Sequence, residues 1–299
     1  MEQNQKLKPM KRTLLVTLLV ACIAWGAMAQ INVPQPSPSG SVSSKVGLTD
    51  VTIEYFRPKV NGRKIFGEGK DYLQPYGQTW RSGANAGSKL ILSTDATVGG
   101  AKVKAGEYLI FTVPGKDQWQ FMLYSDLSLG GNVNRYDKAN EVARTSVKPI
   151  KTSHITETLT FNIADISEDN TSANIELAWA DVAIKVPLKV SFDEEVMKEI
   201  AENTKVNPRN YLAAANYYYT ANKDLNQALE WVNMYLNTGD NAKQFWNLHL
   251  KAKILAKMGN KKEAIEVAEK SKDLASNFPN GDFGYIKRNE DLIAQVKGK

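Results

Sequence analysis

The spacing of apolar residues changes period once along this chain, near residue 192, and that change limits the fold more than any other feature. Before it, apolar residues alternate as they do in strands. In VTIEYF (51–56), Val51, Ile53 and Tyr55 point one way, with Thr52 and Glu54 between them. KLILST (89–94), EYLIFTV (107–113), WQFMLY (119–124), ETLTFNI (157–163), ANIELAWA (173–180) and VAIKVPLKVSF (182–192) behave similarly, and are rich in Val, Ile, Thr, Tyr and Phe. Turn signals divide them at Gly99-Gly100, Pro114-Gly115-Lys116-Asp117 and Glu168-Asp169-Asn170. Many short strands without intervening helices predict an all-β sandwich or open barrel over residues 41–192.

From Asp193 to residue 299 the period is 3.6, which predicts a small all-α domain. Asp193 is placed to cap a first helix reaching Thr204, and Asn207-Pro208 to open the next. Two similar units follow. QALEWVNMYL begins at Gln227 and EAIEVAEKSKDL at Glu263, so Ala228 and Ala264 are 36 residues apart. Helices over 209–220 and 243–258 precede them, with turns at Asn222-Lys223-Asp224 and Gly259-Asn260-Lys261. Two helices per unit at this spacing resemble tetratricopeptide repeats. Ala252, Gly259 and Ala264 occupy that pattern's small-residue positions, whereas Asn216 and Lys223 depart from it. Two units and a last helix near 285–296 are too few to stand alone, so they are expected to lean on the sandwich.

Residues 1–29 read as a secretory signal peptide. Lys11 and Arg12 precede the apolar run 14–25, and Ala27-Met28-Ala29 is an A-x-A cleavage site. The competing reading is a lipoprotein leader with Cys22 as the lipid anchor. A Pro/Ser-rich linker, residues 30–40, comes next. The expected product is periplasmic or extracellular, with no membrane span. Cys22 is the only cysteine, so the processed chain would hold no disulfide, thiol nucleophile or cysteine metal site. The charge of +6 belongs partly to the leader, and no basic stripe with interleaved aromatics points to nucleic acid.

Nucleophilic catalysis finds little support. The two histidines, His154 and His249, fall in different halves, and neither metal nor cofactor is expected. Asp165 to Glu176 partly matches calcium-loop spacing, but Asn170 stands where glycine is needed, and a polar hairpin turn explains the residues better. The segment from Tyr55 to Asn85 is different. Between Lys59 and Gly87 five basic residues face Glu68 and Asp71. Arg63 and Arg81 offer donor forks to an anion, and Tyr76 and Trp80 offer ring faces to a sugar. An ordered loop of this length is more often functional than decorative. The candidate ligand-binding set is Tyr55, Arg57, Arg63, Lys64, Tyr76, Trp80, Arg81 and Asn85.

GLTDVTIEYFRPKVNGRKIFG, PYGQTWRSGAN, LSTDATVGG and AGEYLIFTVPGKDQW resemble the family called domain of unknown function 2911, found in secreted proteins of Bacteroidetes. The likeness covers about residues 35–190. SDLSLGGNVNRYDKAN (125–140) departs from the tryptophan and glycine pattern expected there. The resemblance implies a location for the site and no reaction. The sequence therefore favours a non-enzymatic module binding a small anionic or glycan ligand, or a peptide, through loop 55–87. One alternative is an enzyme acting on envelope glycans with Glu54, Glu68 or Asp71. In the favoured reading the repeats pack on the sandwich or present a groove to a protein partner, for which Tyr211, Tyr217, Tyr218, Tyr219, Trp231 and Tyr235 are candidates. The other alternative is a structural adaptor working through the repeats, with the loop merely closing the sandwich.

Overall fold

A computed structural model describes residues 33–204, 207 and 209–298. The expected leader with Cys22, and Pro208, lie outside the described residues. The first half is strand-rich: β1 (Ser39–Val46), β2 (Thr49–Phe56), β3 (Phe66–Gly67), β4 (Gln74–Pro75), β5 (Ser88–Leu92) and β6 (Ala96–Val98). There follow β7 (Ala101–Val103), β8 (Gly106–Val113), β9 (Trp119–Tyr124), β10 (Glu141–Val147), β11 (Ile150–Ala164) and β12 (Ser172–Val190).

An antiparallel sheet in the order β1-β2-β5-β8-β9-β10 faces a second in the order β11-β12-β6-β7. One core joins them: Ile53, Leu90, Ile110 and Phe121 from the first sheet meet Phe161, Ile175, Leu177 and Val186 from the second. The architecture is a sandwich and not a closed barrel. Gly47 turns the β1–β2 hairpin with φ 58°, and a Cβ there would lie 2.4 Å from the Phe192 ring. That glycine lets the hairpin pack where the strands hand over to the helices.

ANIELAWA and VAIKVPLKVSF, expected as separate strands, form the single strand β12. It bends at Ala180, whose φ of 54° turns the chain while pairing with β11 resumes on either side. The edge of β11 is covered by the start of the long loop: Leu159 donates to the Pro58 carbonyl at 2.9 Å, and Val60 to that of Glu157 at 2.7 Å. The hairpin between β11 and β12 is the polar turn expected. Asp169 accepts from Ser167 and Thr171, and Asp165 pairs with Lys185 at 2.7 Å.

Both faces of β8 and β9 are apolar. Leu109, Phe111, Met122 and Tyr124 point away from the main core and are roofed by Leu129, Val133 and Tyr136 from the segment 125–140. Short helical turns hold that roof, each capped by a side chain: Asp126, Asn132 and Asp137. Glu141 braces its end, accepting from Tyr136 at 3.0 Å and from both arms of Arg144.

Six helices follow among the described residues: α1 (Asp193–Asn203), α2 (Asn210–Thr220), α3 (Leu225–Leu236), α4 (Phe245–Lys257), α5 (Lys261–Ser276) and α6 (Tyr285–Lys297). None is long and apolar enough to cross a membrane. Asp193 does not cap α1 as expected. It sits in the first turn, and its carboxylate instead takes Lys223 at 2.7 Å and the Tyr217 hydroxyl at 2.6 Å, tying α1 to the end of α2. Asp224 caps α3 through the amides of Asn226 and Gln227. Tyr218 packs edge-on against Trp231 at 4.8 Å beside the helical core, so those two expected groove aromatics serve packing.

His249 of α4 bonds through Nδ1 to the buried Asn289 of α6 at 2.8 Å. Burial pushes its pKa below the ordinary 6.5; the Asn289 bond opposes this, and the charges of Lys253 and Arg288 push the same way as burial. The unfolded chain therefore takes a proton, as pH falls below about 6.5, that the folded chain refuses. Stability is expected to drop between pH 7 and 5, and less so in His249→Asn. Equal slopes in denaturation midpoints of the two proteins would refute this.

Candidate functional site

The residues expected to bind ligand do not converge on one pocket. Tyr55 and Trp80 are core residues: Tyr55 meets Phe161 edge-on at 5.1 Å, and Trp80 stacks on Trp179 at 5.7 Å between Phe66 and Trp119. Arg57 is a staple between the sheets, donating to the Leu159 carbonyl at 3.2 Å and to Thr160 Oγ1 at 3.3 Å. Arg63 folds back on its own loop, onto the carbonyls of Val60 and Lys59. Lys64 lies over the Tyr72 ring at 5.8 Å. Tyr76 has its hydroxyl pKa pushed up by burial first and then by Asp181. Of these six, Tyr55 alone is among the residues lining the large cleft described below, with its ring packed on Phe161 in the core. Arg81 and Asn85 stand beside it.

The segment 80–88 folds tightly. Trp80 exchanges both backbone bonds with Thr112 of β8, and its indole donates to the Gly83 carbonyl at 3.1 Å. Ser82 and Asn85 both take left-handed backbone, with φ 53°. Ser82 is stabilised by Thr112, and its carbonyl takes the Ser88 hydroxyl at 2.8 Å. This geometry sends Arg81 across to the roof segment, where Nη1 donates to the Gly131 carbonyl at 3.2 Å. Gly131 has no space for a side chain, since a Cβ would come 2.4 Å from the Asn85 carbonyl oxygen and 2.5 Å from Arg81 Cδ. The turn 84–87 and the roof are thereby locked edge to edge.

Beside that junction, on the outer face of the six-stranded sheet, lies a cleft of about 710 Å³. Phe56, Leu109, Glu54 and Lys89 form its floor, Leu127 and Gly130 its roof-side wall, Ala86 and Gly87 its end. The edge strand β1 supplies Ser39 and Ser41 along the open side. Asn85 Nδ2, near this rim, donates to Gln35 at 3.3 Å. Lys89 bridges Glu54 at 3.1 Å and Glu107 at 2.9 Å, and those partners raise its pKa, the Glu107 bond most. The floor therefore carries the Glu54–Lys89 ion pair, with Glu107 holding Lys89 from outside the lining, and no guanidinium. It can offer an aromatic face, an apolar shelf and a donor–acceptor pair to an uncharged ligand.

Phe56, Lys89, Leu109, Leu127 and Gly130 were not among the expected site residues. The sequence held one clue to them. EYLIFTV runs apolar through consecutive positions and WQFMLY nearly so, which is the mark of a strand covered on both faces. A second cover had to come from elsewhere in the chain, and 125–140 provides it. Glu68 and Asp71, offered as catalytic acids, are exposed on the long loop and do not line the cleft.

No curated protein and no solved structure matches this chain. A family model described as "Protein of unknown function (DUF2911)" matches residues 37–188. The matched stretch runs from before β1 to nearly the end of β12, holds every cleft residue and stops short of α1. Since it covers half of the sequence, the chain belongs to the DUF2911 family.

Proposed function

We propose that this protein is a non-enzymatic binding module of the cell envelope whose cleft takes a segment of neutral glycan. The observation that carries the reading is the cleft floor, where the exposed part of Phe56 lies beside an ion pair able to donate and accept hydroxyl hydrogen bonds. Charge decides between the two ligand classes. Arg57, Arg63 and Arg81 spend their guanidinium groups on main-chain or threonine oxygens, and the one ammonium of the floor, Lys89, is already shared by Glu54 and Glu107, so phosphate and sulfate are poorly served there. Export rests on the signal-like residues 1–29.

Catalysis is the weaker reading. Glu54 and Glu107 approach each other closely enough for glycoside hydrolysis, but both are exposed and both are spent on Lys89. A proton-donating acid needs an apolar, water-poor setting that neither has. Titration calorimetry with neutral oligosaccharides should show binding without turnover, and Phe56→Ala should weaken it by roughly tenfold, about the worth of one stacked ring. Unchanged affinity in Phe56→Ala, or release of reducing ends, would contradict the proposal.

A further inference from the structure

A second cavity, of about 260 Å³, opens among α2, α4, the start of α5 and α6, far along the chain from the cleft. Lys253, Lys257 and Lys261 converge on it around the ring of Tyr219, with Leu292 and Val296 as an apolar wall. Two ammonium groups lie against that one ring, Lys253 at 4.9 Å and Lys257 at 4.8 Å. Lys257 also donates to the Tyr219 carbonyl at 3.0 Å and to Asn222, so its position is fixed. Lys251, two residues before Lys253 and on another face of α4, pairs with Glu263 at 3.5 Å. Among the described residues no carboxylate lies within salt-bridge distance of Lys253, Lys257 or Lys261.

Lys253 is the informative member. It is half-buried, its only close aromatic partner is shared with a second lysine, and its pKa is lowered first by burial and then by Arg288. A half-buried charge crowded by like charges costs stability unless something compensates it. His249 stands one turn before it on α4 and is itself held toward neutrality, so nothing on that helix face offsets the positive field. A negative group in the cavity would offset that charge.

We infer that this cavity binds a tetrahedral oxyanion, a phosphate group free or carried on a small molecule, between Lys253, Lys257 and Lys261. Lysines act as point charges and suit a compact dianion; the guanidinium fork that favours a planar carboxylate is absent from the lining. The volume leaves room for a few atoms beyond the phosphate, which would rest on Leu292 and Val296.

The test uses the full chain, matched in ionic strength with chloride, and follows both melting temperature and phosphorus NMR line width. Inorganic phosphate and glycerol phosphate are titrated against acetate and malonate. Wild type is expected to be stabilised and to broaden the phosphorus signal, with little response to the carboxylates. A stronger effect of glycerol phosphate than of phosphate points to a carried group, and the reverse to the free ion; both support the site. Lys253→Met keeps the aliphatic stem and is expected to lose the response while melting on the order of 2 °C higher without ligand. No response in wild type, an equal response to acetate, or a full response in Lys253→Met would each overturn the inference. Because the cavity lies outside the sandwich, these outcomes are independent of the glycan cleft.

Discussion

Trp80→Ala is expected to destabilise the protein by about 3–5 kcal/mol, the usual cost of emptying a buried tryptophan site. Trp80 is 3 % exposed, stacked on Trp179 and flanked by Phe66 and Trp119. Phe66, which like Trp80 comes from the long loop, touches all three tryptophans. Removing the indole would leave a void between the sheets and strand the Gly83 carbonyl that the indole now satisfies. Urea denaturation would register the loss as a lower midpoint. A change below about 1 kcal/mol would mean that Trp80 does not hold the knot together, and would reopen its candidacy as a ligand platform.

Gly131→Ala carries the second large effect, and it couples stability to the site. Gly131 is not among the residues with positive φ, so alanine adds no backbone strain, and the cost is contact alone. The Asn85 carbonyl oxygen is main chain and cannot swing aside. Arg81, the other neighbour, is tied to the same glycine's carbonyl. The roof must therefore lift from the turn 84–87, loosening Leu127 and Gly130 from the cleft wall. A loss of about 1–3 kcal/mol is expected, typical of overpacking, together with most of the glycan affinity. Calorimetry on the folded variant separates the two. Full affinity in a destabilised protein would show that the roof does not shape the binding surface.

The sheet-to-helix division was legible because it depends only on period: the last strand ends at Val190 and α1 begins at Asp193. β1 was not singled out because SGSVSSKV is poor in strand formers; its first two residues fall in the expected linker, and pairing with β2 makes it a strand. The bend in β12 was hidden for a related reason. Ala180 gives no turn signal, and tertiary pairing holds it in left-handed backbone.

The long loop drew attention in the sequence by its residue types, and the structure gives those residues other work. RSGAN does stand at the cleft, yet its arginine braces a wall instead of facing ligand. Arginines and aromatics clustered along a sequence look alike whether they meet solvent or carbonyls and core. Only the fold shows that Arg57 and Arg63 are spent on oxygens of the chain itself, and that Trp80 points inward. The cleft draws on β1, β2, β5, β8 and the roof segment, so its members are scattered from Ser39 to Gly130. No local motif could have collected them.

The most direct test of the glycan cleft is an amide NMR titration of the isotopically labelled protein with the neutral oligosaccharide that binds best. Binding in the cleft predicts shift changes clustered at residues 39–41, 54–56, 86–89 and 127–131, with the long loop at 59–72 unmoved. Changes centred on Arg63, Lys64 and Tyr72 with a silent cleft would contradict the account.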